Sequence, residues 1–229
     1  MAKRKQADKD EVLIDVVDVR DSAQDFFEKN RIWLLGGIGA LVLIVGGWFA
    51  YNQFYKKPMQ QEAVEQMFQA QVQFERDSFA LALTNPGGGY SGFLDIIENY
   101  GGTPAANTAH YYAGVSYLQL GQFEAAISYL SDFNAKGDVM PIMKNGALGD
   151  AHSELNDLSK AMSFYQKAVS AGDNELLTPY YLKKVGMLNE KNGNPAEALK
   201  AYERIKTEYP TSPEARDIDK YIARVTPKG

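Results

Sequence analysis

After Thr103-Pro104 the chain repeats one pattern three times, and this limits the possible folds more than any single residue does. The first unit, HYYAGVSYLQLGQFEAAISYL, carries Gly114, Tyr117, Gly121 and Ala126. The second, NGALGDAHSELNDLSKAMSFYQKA, has Gly149, His152, Asn156, Ala161, Tyr165 and Ala168 at matching offsets. The third, YLKKVGMLNEKNGNPAEALKAYERIKTEYP, supplies Gly186, Asn189, Gly193, Ala198, Tyr202 and Pro210. Successive anchor glycines lie 35 and 37 residues apart, enough for one helix–turn–helix per unit.

The anchor types have a packing reason. Gly114 with Ala126, Gly149 with Ala161, and Gly186 with Ala198 let the two helices of a unit approach closely, and Tyr165 and Tyr202 are expected to fill the gap to the next unit. Pro210 ends the last paired helix, and Arg216 to Val225 reads as a capping helix. This pattern resembles the tetratricopeptide repeat of ~34 residues. It departs from that pattern where His110, Asn145 and Leu182 replace the usual Trp, and where Leu130 and Asp138 replace the aromatic and the proline of unit one.

Upstream, Ile32 to Tyr51 reads IWLLGGIGALVLIVGGWFAY, twenty residues without a charge. A helix of that length, at ~1.5 Å per residue, crosses the ~30 Å apolar layer of a bilayer. Lys29 and Arg31 close one end, Lys56 and Lys57 the other, and Trp33, Trp48, Tyr51 and Tyr55 form aromatic rims. Bulky Trp48 two residues before Ala50 argues against a cleaved leader. Basic residues concentrate on the N-terminal side (Lys3, Arg4, Lys5, Lys9, Arg20, Lys29 and Arg31), which predicts a cytoplasmic N-terminus and an exported C-terminal part. Gly36, Gly39, Ala40, Gly46, Gly47 and Ala50 fall within an arc of about 120° on that helix, a candidate contact for a second transmembrane helix. Exposure to lipid is the equally weighted alternative.

The remaining segments are less informative. Met1 to Asp10 is polar and is predicted to lack fixed structure. Val12 to Val19 could pair as a strand, but a weakly ordered tail is the preferred reading. Ser22 to Asp25 resembles a capping box, which sets a helix start at Asp21 or Ser22. Pro58 to Leu83 predicts one long amphipathic helix with Val64, Met67, Phe68, Val72, Phe79 and Leu83 on its apolar face. A loop follows at Asn85 to Gly89, and a helix over Tyr90 to Tyr100. The expected fold is therefore all-α, a transmembrane helix followed by an α-solenoid of helix–turn–helix repeats with a capping helix. The divisions are a tail over 1–21, an anchor helix over 22–57 and a repeat domain over 58–229.

Charge and motifs narrow the function class. Pro58 to Asp157 holds three basic against twelve acidic residues, and Lys183 to Lys228 ten against seven. The acidic half does not suit nucleic acid, and the basic residues of the second half alternate with acids. There are no cysteines. No nucleophile elbow, phosphate loop or His-Glu-x-x-His motif occurs, and His110 and His152 stand at positions that pack between helices. The exported part is expected to be a binding module without catalytic residues, metal or cofactor.

From Asp25 onward the order of parts resembles the single-span tetratricopeptide proteins of the Gram-negative inner membrane typified by YfgM. The resemblance is closest from Ala70 to Val225, in NTAHYYAGVSYLQLGQFEAAISYL, TPYYLKKVG and YPTSPEARDIDKYIA. It implies an inner-membrane protein with a periplasmic repeat domain, an ancillary subunit of the Sec translocon. Such a protein would work beside a periplasmic chaperone on unfolded secreted or outer-membrane clients. A scaffold that joins other envelope machinery without touching clients uses the same fold. The repeat resemblance also implies a concave protein-binding face on the first helix of each unit. Carried over by position, that face comprises Tyr111, Val115 and Leu118, then Asp150 and Glu154, then Tyr180, Lys183, Met187 and Glu190.

Overall fold

The computed structural model describes the backbone of residues 2–226, and the side chains of residue 24 and of residues 26–226. Every regular element among the described residues is helical. The chain divides into two compact units, Met1–Pro58 and Met59–Gly229.

In the first unit the backbone is helical over α1, Ala2–Tyr51, and continues into a π-helical turn at Asn52–Lys56. An unstructured tail over 1–21 and a helix start at Asp21 or Ser22 were the expectation, and the backbone departs from both. No glycine or proline precedes Gly36, so nothing in the local backbone chemistry stops a helix there. Met1 and the side chains of Val12 to Val19, Ser22 and Asp25 lie outside the described residues. Among the described residues one helix is long and apolar enough to cross a membrane. None of its apolar window is buried within the protein, and Ile32, Trp33, Leu43 and Ile44 are exposed.

Helix α2, Lys57–Glu75, belongs to the second unit from Met59 onward and buries Ala63, Met67 and Ala70 at helical spacing. Val64 and Phe68, expected on the same apolar face, are exposed instead. The small side chains of Ala63 and Ala70 make the neighbouring stripe the one that packs tightly. The helix expected to run from Pro58 to Leu83 is broken at Arg76 to Ser78. Asp77 is left-handed there at φ 56°, the Gln73 carbonyl accepts from Ser78 N–H at 2.9 Å, and the chain restarts as α3, Phe79–Thr84. The break brings Phe79 edge-on to Phe74 at 5.4 Å, and Phe74 also meets Tyr112 at 4.9 Å. Asp accepts a left-handed backbone more readily than most residues, so burying this aromatic cluster outweighs one lost helical turn. Helix α4, Phe93–Asn99, starts later than expected because Gly92 is its N-cap, with Gly92 N–H donating to the Asp95 carboxylate at 3.3 Å.

Three helix pairs follow: α5 (Pro104–Gln119) with α6 (Phe123–Asp132), α7 (Met140–Glu154) with α8 (Leu158–Ser170), and α9 (Leu177–Lys191) with α10 (Pro195–Glu208). Within each pair the turn uses one left-handed residue, Gly121 at φ 73°, Asn156 at 58° and Gly193 at 74°. One backbone bond closes each turn: Gln122 N–H to Tyr117, Asp157 N–H to His152, and Asn194 N–H to Asn189, all at 2.9 Å. Only residues tolerant of positive φ fit that place, which explains Gly, Asn and Gly at one repeat offset.

The anchor glycines are close-approach points. A Cβ on Gly114 would lie 2.6 Å from Leu130, one on Gly149 2.5 Å from the Tyr165 ring, and one on Gly186 would overlap the Tyr202 ring. Tyr165 and Tyr202 seat on the glycine of their own unit and also reach the next, Tyr165 stacking on Tyr181 at 6.2 Å and Tyr202 meeting the Tyr221 ring at 5.3 Å. Between units two and three Tyr181 completes the packing from the other side, over Gly146. Helix α11, Ile218–Val225, follows a 3-10 turn at Glu214–Asp217 and lays Ile218 and Val225 on Tyr202, Ile205 and Tyr209. Burial of side chains this size contributes roughly 1.5–3 kcal/mol each, so the last repeat is not left with an open apolar end.

Candidate functional site

The first helices α5, α7 and α9 lie side by side, and a groove of about 630 Å³ opens where their C-terminal ends meet the starts of α6 and α8. Helix α5 contributes Leu118 and Gln119, and α7 contributes Asp150, Ser153 and Glu154. Helix α9 contributes Lys184, Met187, Leu188 and Lys191, while Phe123, Leu158 and Tyr165 come from the second helices. On α9 the stripe Lys184, Met187, Lys191 follows helical spacing, and Tyr180 continues it one turn back.

A polar network sits in the groove wall. Lys184 Nζ donates to Asp150 Oδ1 at 2.5 Å, and Tyr165 Oη donates to the same oxygen at 2.7 Å. The Lys184 ammonium also lies 4.8 Å from the Tyr180 ring centre and 5.5 Å from that of Tyr165, within range of a cation–π attraction. Burial pulls the Lys184 pKa down, but the Asp150 carboxylate and the Tyr180 hydroxyl outweigh it, and the net shift is upward. Burial, then Asp150, pushes the Tyr165 phenol well above its ordinary value. The network is held by one carboxylate with two donors on it.

The nine residues assigned to the concave face separate into three groups. Leu118, Asp150, Glu154 and Met187 line the groove, and Tyr180 borders it through Lys184. Tyr111 and Val115 instead pack against the core formed by Leu130, Ala147 and Leu148, and burial pushes the Tyr111 phenol to about 12. Lys183 and Glu190 face the capping helix. Lys183 pairs with Asp217 at 3.0 Å and lies 4.6 Å from the Tyr221 ring centre; Glu190 receives two bonds from Arg224 at 2.6 Å and one from the Tyr202 hydroxyl. The adjacent Lys183 and Lys184 stand about 100° apart on the helix, so only one can face the groove, and it is Lys184. Lys184 and Lys191 were missed although they stand four and eleven residues after Tyr180.

The small-residue stripe on α1 has no neighbour among the described residues. A Cβ at Gly36, Gly39, Gly46 or Gly47 would meet nothing within 4 Å, and Ala40 and Ala50 are exposed. His152 stacks on Phe164 at 5.3 Å with its Nδ1 3.8 Å from the Asp157 carboxylate, and burial lowers its pKa. His110 is likewise lowered by burial. Among the described residues no three potential metal ligands come together.

Family models described as tetratricopeptide repeat match residues 93–138, 145–171 and 184–212, one over each helix pair. The chain carries tetratricopeptide repeats over those residues. The repeat protein shares its fold with a crystal structure described as a kinesin light chain of Podosopora anserina with nearly identical TPR-like repeats. The TM-score is 0.51 at 13% identity, covering 72% of this chain and 85% of that one. No curated protein matches the chain. Tetratricopeptide repeats are protein–protein interaction modules, which suits a groove with an apolar floor and charged rims.

Proposed function

We propose that the protein is a membrane-anchored adaptor whose groove, formed by α5, α7 and α9, holds a polypeptide segment of a partner or client. The observation that carries this reading is the groove itself. It has an apolar floor of Leu118, Phe123, Leu158 and Met187, with Met187 half exposed and open to contact. Apolar surface of this kind, rimmed by polar groups, is what a protein partner covers. On this reading the protein is a binding module and acts without catalysis or cofactor.

The uncharged helix anchors the protein in the bacterial inner membrane, with the N-terminus cytoplasmic and the repeat domain in the periplasm. The likeness to the YfgM group supports an ancillary role at the Sec translocon, beside a periplasmic chaperone and on emerging unfolded clients. Affinity purification of the full chain in mild detergent tests this reading. Channel subunits should co-elute; recovery of other envelope machinery alone would replace the adaptor by the scaffold. Protease added to spheroplasts should digest the segment after Pro58, and its protection would overturn the orientation.

A further inference from the structure

The charges around the groove differ in availability. Lys184 and Asp150 neutralise each other, and Tyr165 adds a second bond to the carboxylate. A ligand charge that recruited either one would leave the other without its partner in a place where both are about three-quarters buried. Two further charges, Glu154 on α7 and Lys191 on α9, line the same groove, are exposed, and make no ion pair or hydrogen bond among the described residues. They have opposite sign and sit on neighbouring helices, with Met187 and Leu118 contributing apolar surface to the same groove.

We propose that the groove selects a mixed-charge polypeptide segment, in which an apolar side chain on Met187 and Leu118 is flanked by a basic group reaching Glu154 and an acidic group reaching Lys191. This rests on the adaptor reading above and specifies its occupant. A uniformly acidic segment gains at Lys191 and is repelled at Glu154; a uniformly basic one meets the reverse. The mixed pair also fixes the direction in which the segment lies, because swapping its ends brings like charges together. Neither charge is used by the fold, so both are free to read the ligand.

The test uses the full chain in detergent micelles and three fluorescein-labelled peptides with the same Leu-Met-Leu centre. One carries Lys before and Glu after it, one Lys on both sides, one Glu on both sides. Fluorescence anisotropy at low salt should show the mixed peptide binding roughly two- to fivefold more tightly than either other, the range expected for exposed ion pairs. Added salt should narrow the difference. Glu154→Lys should move the preference to the doubly acidic peptide, and Lys191→Glu to the doubly basic one, with circular dichroism unchanged. Equal binding of all three peptides, or a preference that both substitutions leave in place, overturns the charge selection while leaving the adaptor reading intact. Failure of every peptide to bind overturns both.

Discussion

The joint between the first two repeats and the joint between the last repeat and its cap solve one packing problem by different chemistry. At the first, Leu130 fills the space beside Gly114 and joins Ala147 and Leu148 in an apolar cluster edged by Tyr111, Val115, Leu118 and Phe164. At the last, Tyr202 takes the equivalent seat beside Gly186, and its hydroxyl donates to Glu190, on which Arg224 closes from the cap. The middle joint repeats the polar solution with Tyr165, Asp150 and Lys184. In both polar joints the cation comes 34 residues after the carboxylate, one repeat length on, so each network crosses from one unit to the next. A repeat can thus lose its tyrosine without losing its fold, and what it gives up is a polar tie to its neighbour.

The largest effect should come from the apolar joint. Leu130→Ala removes a fully buried side chain and should lower stability by about 2–5 kcal/mol, read from denaturant melts of the full chain. The loss should be indifferent to salt. A salt-dependent loss would mean that the first joint also contains a charge network.

Next in size is Gly186→Ala, whose methyl group would overlap the Tyr202 ring and should cost about 1–3 kcal/mol. Gly36→Ala, with open space around it, is the control and should leave the repeat domain's melting unchanged. Equal melting of the two variants would remove the close approach from the account.

Asp150→Ala should follow, at about 1–3 kcal/mol, because it strands the Lys184 ammonium and the Tyr165 hydroxyl together. Part of that cost should vanish as salt rises, the opposite of Leu130→Ala. Identical salt behaviour would erase the distinction between apolar and polar joints.

These contrasts also show what could be read from residue order. The glycine, alanine and turn positions were legible because each is a local steric demand recurring at a fixed offset. The rotation of α9 was not, since choosing Lys184 over Lys183 requires knowing that Leu182, Val185 and Leu188 turn inward against different neighbours. Lys183 and Glu190 look like free surface charges until Asp217, from the 3-10 turn, and Arg224, from the capping helix, arrive more than thirty residues later. The break at Asp77 likewise depends on Tyr112, which gives Phe74 a reason to turn the chain.

The smallest effect is that of pH. Burial lowers the pKa of both His110 and His152, so below about 6.5 the unfolded chain takes up protons that the folded chain resists. Their contribution is complete above that pH and is lost as pH falls through the lowered folded values. Melting temperature should therefore decline gently from pH 7 to 5, and His152→Gln should flatten the decline. The carboxylates Asp157 and Glu190, lowered mainly by Lys160 and Arg224 respectively, act only at more acidic pH. A decline unchanged in the variant would assign the acid sensitivity to other groups.

The central claim is that the groove, and not the outer face of the repeats, meets other polypeptides. A photo-crosslinking residue placed at Met187 in the full chain, compared in cells with one at the exposed Lys200 on α10, tests it most directly. Adducts with other proteins should form from Met187 and be absent or far weaker from Lys200. Equal adducts from both positions, or adducts from Lys200 alone, would contradict it.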